Sequence, residues 1–335
     1  MITIKPEDIQ RAAQVITALR EEIGKAVVGQ RDAVEQVLLA LVASGHVLIE
    51  GVPGLGKTLL ARALAQALSL RYARVQFTPD MMPSDITGHA VLDAAPAGAA
   101  GVSSGLGNLR VLRGPVFTNI LLADEINRAP AKTQSALLEV MQEYQVTLEG
   151  QTLALERPFI VLATQNPIDT EGTYPLPDAQ LDRFLLKVEI DYPSAADEAA
   201  VVLRATREQA GDQLPLQDVQ PRIDERTVLS LQRMAGFMHV DTRVVDYAVR
   251  IVRATRDGAG LASGAGPRGA IALIRAGRAA ALMQARDFVT PDDVKRCVLP
   301  VLRHRVLLAP DAQLEGQRVD ELLSRLLGGV EAPRL

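Results

Sequence analysis

The sequence predicts an α/β fold with a parallel-sheet core, followed by an all-helical domain, and three observations lead to that prediction. Over residues 1–190, short apolar runs typical of buried strands alternate with segments whose apolar residues recur at helical spacing. A glycine-rich turn joins one of these strands to the helix that follows it. After Tyr192–Pro193 only helical spacing continues, so we expect a separate helical domain over residues 191–335.

The elements of the core follow from these two periodicities. Leu60, Leu64 and Leu68 fall on one helical face, whereas 116–123 is an apolar, β-branched run, as in a strand buried on both faces. In chain order we predict helices at 6–23 and 32–44, a strand at 47–50, a helix at 59–70 and a strand at 74–77. An irregular segment at 78–114 with a flexible loop at 93–108 comes next, then a strand at 116–123, a helix at 131–144, a hairpin at 145–155 and strands at 159–163 and 185–190.

The second domain is predicted from helical spacing alone. A glycine-rich loop at 257–266 interrupts it. The expected helices are 197–210, 225–238, 242–256, 267–285 and 291–305.

Composition excludes several classes of protein. The formal charge of −4 and pI of about 5.7 give no global attraction to nucleic acid or anionic lipid. One cysteine, Cys297, excludes an internal disulfide and a thiolate zinc cage, and we expect it to be buried. The N-terminus lacks an apolar signal-peptide core, and no apolar run is long enough to span a bilayer. We therefore expect a cytoplasmic protein without membrane insertion.

The strongest motif is a phosphate-binding loop. Residues 51–58, Gly-Val-Pro-Gly-Leu-Gly-Lys-Thr, fit G-x-x-x-x-G-K-[ST] between an apolar strand and an amphipathic helix. Glycines let backbone N–H groups turn inward around phosphate oxygens, and the helix adds free N–H donors. Lys57 should reach the β- and γ-phosphates, and the Thr58 hydroxyl should ligate Mg²⁺. We expect nucleotide contacts from Gly51, Pro53, Gly54, Leu55, Gly56, Lys57, Thr58 and Leu59.

Two carboxylates end the strand predicted at 116–123. In P-loop nucleotide hydrolases an Asp at such a strand end holds Mg²⁺, which is the role we assign to Asp124. Glu125 lies one residue further on, where it can orient or deprotonate the attacking water.

A third polar strand end follows at Asn166, after the strand predicted at 159–163. If that strand lies between the P-loop strand and the Asp-Glu strand, Asn166 lies beside the γ-phosphate. Its amide can hydrogen-bond both water and phosphate. The alternative is an Asn that only begins a turn before Pro167.

Taken together, these motifs resemble the MoxR family of AAA+ ATPases. The resemblance covers nearly the whole chain. One position departs from it, since Gly269 stands where the family usually has Ala. The segments that carry it are Val28–Gln30, Gly51–Thr58, Met81–Gly88, Gly114–Phe117, Ala123–Pro130, Ala163–Pro167, Glu171–Pro177 and Gln180–Phe184.

The resemblance implies a two-part ATPase that binds ATP and Mg²⁺ in a cleft between an α/β core and a helical lid, and that forms a homo-oligomeric ring, usually a hexamer. It places Val28 and Gly29 near adenine. Arg183 matches the arginine finger, which acts on the neighbour's ATP, and Arg268 matches the second sensor, which reaches the γ-phosphate from the lid. Arg128 is a weaker candidate for a contact between subunits.

The same resemblance marks segment 78–114 as an insertion in the second helix and 144–158 as a hairpin before the first sensor. These elements define a clade that also includes magnesium chelatase motor subunits and replicative helicases of the MCM type. They are expected to transmit the nucleotide state toward a partner or the ring pore.

Three functions remain open from the sequence. The first is a chaperone-like ATPase with a protein client, acting with a protein that carries a von Willebrand factor A domain, as the resemblance implies. The second is a nucleic-acid or metal-chelatase motor subunit, and the third is a nucleotide-gated scaffold with little turnover. The hairpin segment carries Glu149 and Glu156 against only Arg157, so no nucleic-acid partner is expected.

Overall fold

The computed structural model describes residues 5–92, 109–167, 172–206 and 214–334. The core contains α1 (Pro6–Gly24), α2 (Arg31–Val42), β1 (Val47–Glu50), α3 (Lys57–Ala67), β2 (Tyr72–Gln76), α4 (Pro83–Thr87), β3 (Gly88–Leu92), β4 (Leu109–Arg113), β5 (Ile120–Asp124), α5 (Ala131–Glu143), β6 (Gln145–Leu148), β7 (Gln151–Ala154), β8 (Ile160–Gln165), α6 (Asp178–Leu181) and β9 (Leu186–Glu189).

The lid follows the core. It contains α7 (Ala195–Thr206), α8 (Glu225–Phe237), α9 (Thr242–Arg256), β10 (Leu261–Ser263), α10 (Pro267–Met283), α11 (Pro291–Leu302), β11 (Leu307–Leu308), α12 (Pro310–Leu314) and α13 (Val319–Gly328).

Five parallel strands form the central sheet, in the order β2-β5-β8-β1-β9. Every residue of β5 is buried, as its unbroken apolar sequence predicts for a strand covered on both faces. The α/β prediction is therefore confirmed. The prediction that the strand before Asn166 lies between the P-loop strand and the Asp-Glu strand is also confirmed, because β8 pairs with both β1 and β5.

The two faces of the sheet are covered by different apolar clusters. One face packs against α5, with Phe77, Val116 and Phe184 fully buried. The other face packs against α1, α2 and α3, and the same cluster continues into the lid through residues such as Ile251 and Val298. The lid thus shares its apolar core with the sheet. The domain boundary at 190/191 stays a prediction.

Part of the irregular segment predicted at 78–114 is regular, so that prediction was wrong. Residues 83–87 form α4, and β3 pairs with β4 as an antiparallel hairpin. These strands are separated by 16 residues, so no short turn signal marks their pairing. The predicted loop at 93–108 and the end of the helix predicted at 197–210 lie outside the described residues.

Other differences are smaller. β5 begins at Ile120 and not at residue 116, because the Val116 N–H donates to Ile86 O in α4 and 115–119 form turns. The loop predicted at 257–266 contains β10, which pairs with the distant β11. Four other short or late elements, α6, α12, α13 and β11, were not predicted. Within the described residues, none of the helices has both the length and the apolarity needed to cross a bilayer.

Cys297 is buried, as expected. Burial raises the pKa of its thiol to about 12. It therefore serves as a small apolar residue of α11.

Candidate active site

The turn between β1 and α3 forms a phosphate cradle. Gly54 and Gly56 have φ of +86° and +79°, a left-handed conformation that glycine adopts without strain. A Cβ at either position would meet no atom within 4 Å, so the backbone borders open space. No side chain caps the start of α3, which leaves its first N–H groups available to an anion.

Lys57, the first residue of α3, points back across this turn. Its Nζ donates to Gly51 O at 2.6 Å. Burial lowers the pKa of Lys57, whereas the nearby carboxylates of Asp124, Glu125 and Glu50 raise it. The ammonium therefore lies in a partly desolvated site among acidic groups, where a phosphate can replace the carbonyl as its partner.

The cradle opens into a cavity of about 470 Å³, a size suited to a mononucleotide. Most of the residues expected to bind nucleotide line it, together with the predicted metal ligand Asp124 and two of the predicted catalytic residues, Glu125 and Asn166. These are Val28, Pro53, Gly54, Leu55, Gly56, Lys57, Thr58, Leu59, Asp124, Glu125 and Asn166.

Gly29 and Gly51, also expected to bind nucleotide, do not line this cavity. Gly51 lines a neighbouring cavity behind the loop and accepts the Lys57 hydrogen bond. Gly29 has φ of +76°, and a Cβ there would come within 2.9 Å of Asp197 Cβ and 3.0 Å of Pro193 Cβ. Its role in this structure is to let the 26–30 segment pass beneath the start of α7.

The two carboxylates are held by neighbours that the sequence did not single out. Thr164, fully buried on β8, donates from Oγ1 to Asp124 Oδ1 at 2.6 Å and accepts from the Glu125 N–H at 2.9 Å. Arg74 on β2 donates to Asp124 Oδ2 at 2.7 Å. The signal for Thr164 was its place two residues before Asn166, directly after the strand predicted at 159–163.

Glu125 turns away from the line of the strand. Its φ of 57° is left-handed, which is uncommon for a residue with a side chain. Its Oε2 lies 2.7 Å from Arg128 Nε. Arg128, considered for a contact between subunits, thus pairs with Glu125 within the chain. Asn166, only 7% exposed, follows β8 and lines the cavity beside these groups.

The donor set fits Mg²⁺. Among the described residues no group of three or more His, Cys, Asp or Glu could form an all-protein metal cage. Mg²⁺ at nucleotide sites instead takes one or two protein oxygens together with phosphates and water. Thr58 and Asp124 line the same cavity and supply such oxygens.

The lid closes the other end of the cavity with residues that sequence reasoning missed. Val201 and Arg204 of α7 and the Leu214–Pro215 segment line it together with Val28. Arg204 Nη1 is buried and has no hydrogen-bond partner among the described residues. An apolar wall with one free donor suits a base and its ribose.

Arg183 and Arg268 lie elsewhere. Both line a separate cavity of about 360 Å³, where Arg268 Nη1 is 3.6 Å from Asp182 Oδ2 and Arg183 Nη1 donates to Leu138 O at 2.6 Å. Arg183 comes just before β9, and the phosphate loop comes just after β1. Because β1 and β9 run parallel, Arg183 lies where the strands begin and the loop lies where they end, on opposite edges of the sheet. Arg268 therefore does not line the nucleotide cavity of its own chain, because α10 begins at the Arg183 edge; its role as the second sensor stays a prediction.

This second cavity is rich in positive charge. Arg275 and Arg305 also line it, and burial lowers the pKa of both guanidinium groups. His46 at its floor accepts the Val161 N–H at Nδ1 and bonds Met141 O through Nε2. Burial lowers the pKa of His46 to about 4, so it is neutral at pH 7. The charged groups of this cavity are therefore the four arginines and Asp182, whose carboxylate pairs with Arg268 and Arg305, so the cavity keeps an excess of positive charge.

Known proteins resemble this chain over nearly its full length. A model of the ATPase family associated with various cellular activities (AAA) matches residues 46–186, and an AAA lid domain model matches residues 253–326. Chaperone MoxR1 of Mycobacterium tuberculosis is 42% identical over 97% of this chain and 84% of that protein. Protein MoxR of Methylorubrum extorquens is 32% identical over 99% and 100%. The crystal structure of a putative ATPase from Cytophaga hutchinsonii is 37% identical and covers 98% of both chains with a TM-score of 0.86.

Proposed function

The chain belongs to the MoxR family of AAA+ ATPases, and from this premise we propose that it hydrolyses ATP to ADP and phosphate with Mg²⁺ and uses the energy to remodel or mature protein complexes. One observation supports this most strongly. The phosphate cradle, Asp124, Glu125 and Asn166 meet in one cavity large enough for ATP.

The residues of this cavity divide the work of hydrolysis. The loop amides and Lys57 bind and orient the phosphates, and Thr58 and Asp124 hold Mg²⁺, which when bound neutralises charge on the β- and γ-phosphates. Glu125 orients the attacking water and accepts its proton, once its carboxylate leaves Arg128. Asn166 hydrogen-bonds the water and the γ-phosphate.

The transition state spreads negative charge over the γ-phosphoryl oxygens, and the cavity needs further cations to stabilise it. Arg183 and Arg268 lie on the far edge of the same chain, so we assign them to the ATP of the adjoining protomer. An arginine finger supplied in trans raises turnover by roughly 10³–10⁵-fold. Contacts of this head-to-tail kind close into rings, and we propose a hexamer.

A protein client suits the surface better than nucleic acid does. In the β6–β7 hairpin segment, Arg157 lies over the Tyr144 ring at 4.0 Å, and Glu156 pairs with Arg71. In the β3–β4 insertion, Arg113 lies 5.2 Å from the Phe117 ring. These cations are engaged within the chain and form no track for phosphates. We propose a protein client, reached with a partner that carries a von Willebrand factor A domain; the cytoplasmic location stays a prediction.

Two measurements test the proposal. Glu125→Gln should abolish ATP hydrolysis while MgATP affinity persists. Unchanged turnover in this variant would overturn the role assigned to Glu125, and a wild type without turnover would favour the scaffold. Arg183→Ala should also be inactive alone, yet an equimolar mixture of the two variants should regain activity. In the mixture, the Arg183→Ala protomer supplies an intact Glu125 and the neighbouring Glu125→Gln protomer supplies an intact Arg183, so the site between them is complete. Salt-sensitive stimulation by DNA or RNA, or ATP hydrolysis coupled to the insertion of a metal ion into a metal-free chelating compound, would favour the second candidate class.

A further inference from the structure

The lid carries an apolar groove between α9 and α10. Val245, Val249 and Ile271 are 41%, 39% and 59% exposed along it, and the groove has a volume of about 580 Å³. The opposite face of α9 is buried in the lid core, as expected for an amphipathic helix. Val245 and Val249 therefore lie outside the apolar face that packs in the core. A concentrated apolar patch of this kind marks a docking surface.

Arginines surround this groove. Arg253, Arg256, Arg275 and Arg278 line it, and none of them forms an ion pair with a carboxylate of the described residues. Arg278 Nε is buried without a hydrogen-bond partner among the same residues. The occupant of the groove should therefore be apolar and acidic.

One helix of this chain has that chemistry and presents it outward. On α7, Val202 and Leu203 are 56% and 68% exposed, whereas Val201 lines the nucleotide cavity. Glu198 lies in the first turn of α7, one helical turn before Val202 and on the same face. α7 cannot reach the groove of its own lid while Val201 and Arg204 line the nucleotide cavity, because the groove adjoins the opposite edge of the molecule.

The two surfaces adjoin the two halves of the divided active site. The groove shares Ile271 and Arg275 with the cavity that contains Arg183 and Arg268. α7 shares Val201 and Arg204 with the nucleotide cavity. When the arginines of one protomer approach the ATP of the next, the groove of the first approaches α7 of the second.

We propose that α7 of each protomer docks in the α9–α10 groove of its neighbour, with Val202 and Leu203 on Val245, Val249 and Ile271 and with Glu198 toward the arginines. This inference rests on the proposed trans arginines and names the surface that sets their position. Because α7 also lines the nucleotide cavity, the contact links nucleotide binding to the approach of the neighbour.

Ile271→Asp and Leu203→Asp test the contact from its two sides. Both side chains are more than half exposed, so the substitutions leave the fold intact. Ile271 also lines the cavity of Arg183 and Arg268, so the loss of assembly, and not the loss of turnover alone, decides the test. Each variant alone should be monomeric by analytical ultracentrifugation with a non-hydrolysable ATP analogue, and its ATPase should fall at least about ten-fold. Nucleotide affinity should stay within about two-fold of wild type, because neither residue contacts the phosphate cradle. Leu314→Asp, at an 87% exposed position of α12, is the matched control and should keep wild-type assembly and turnover.

An equimolar mixture of the two variants gives the decisive result. The intact groove of the Leu203 variant can accept the intact α7 of the Ile271 variant, so dimers should form and part of the ATPase should return. Persistent assembly and turnover in either single variant would overturn the docking and leave the groove to a client. A mixture that stays monomeric would overturn it as well. In both cases recovery in the Glu125→Gln and Arg183→Ala mixture would show that the proposed function itself still holds.

Discussion

Glu22→Gln tests how the core holds the segment that leads into the lid. Glu22 lies at the end of α1, is 1% exposed, and accepts hydrogen bonds from Lys25 Nζ at 2.8 Å, Gln220 N at 2.7 Å and Arg222 Nε at 2.6 Å. Burial raises the pKa of this carboxyl, but the hydrogen bonds and the Arg222 charge outweigh burial and bring it from 4.5 to about 2. The ionised form is therefore strongly favoured in the fold.

The size of the effect follows from the lowering of the Glu22 pKa. A pKa lowered from 4.5 to about 2 corresponds to about 3 kcal/mol of stability. Lys25 and Arg222 are 41% and 47% exposed, so solvent screening reduces the expected loss in Glu22→Gln to about 2 kcal/mol. Because the folded-state pKa is the lower one, this stability is present above pH 4.5 and is lost as the pH falls toward 2.

Thermal unfolding of the monomer at pH 7 measures the effect. Glu22→Gln should lower Tm by roughly 3–5 °C and should weaken nucleotide binding, since Leu214 and Pro215, just before the Gln220 contact, line the cavity. Glu35→Gln is the control, because its 3.5 Å pair with Arg20 is about 40% exposed on both sides and contributes little. Equal Tm losses in the two variants would refute the reasoning. So would a difference in Tm between wild type and Glu22→Gln that is as large at pH 2 as at pH 7.

Three further outcomes follow from contacts near the site. Thr164→Val should lower kcat about ten-fold and raise the Mg²⁺ requirement, whereas Thr164→Ser should retain both, because the hydroxyl orients Asp124. The contribution of His46 to stability should fall by about 3 kcal/mol as the pH drops from 6.5 to about 4, because its pKa is lowered to about 4 in the fold and only the unfolded chain is protonated there above that pH; urea titrations of His46→Gln should lack that part of the slope. Gly29→Ala should raise KM for ATP severalfold with little change in kcat, because a Cβ at φ +76° would displace the start of α7 from the base end of the cavity. A lower kcat at unchanged KM would contradict this last expectation.

Motif spacing was enough to assemble the phosphate end of the site. The loop at 51–58, Asp124, Glu125 and Asn166 each follow a strand of a parallel sheet, and the carboxyl ends of such strands share one edge. Residues on separate elements are harder to anticipate. Thr164, Arg74 and Arg204 reach the site only through strand order and lid packing, which no local pattern encodes.

The paired strands outside the main sheet show the same limit. β3 with β4, and β10 with β11, are short and joined by long connections, so neither a tight turn nor a sustained alternation announces them. The β6–β7 hairpin, whose connection is two residues with Gly150 in a left-handed conformation, was predicted because its signal is local.

The sequence by itself determined the fold class, the phosphate loop and the polar groups that share its cavity, because strand and helix periodicity and a contiguous glycine motif are local properties of the chain. Only the tertiary structure decided that Arg183 and Arg268 lie together on the far edge of the sheet. Their distance from the cradle depends on where β9 and α10 begin relative to β1, a relation between elements more than a hundred residues apart. The separation of these two arginines from the phosphate cradle is therefore a property of the packed molecule.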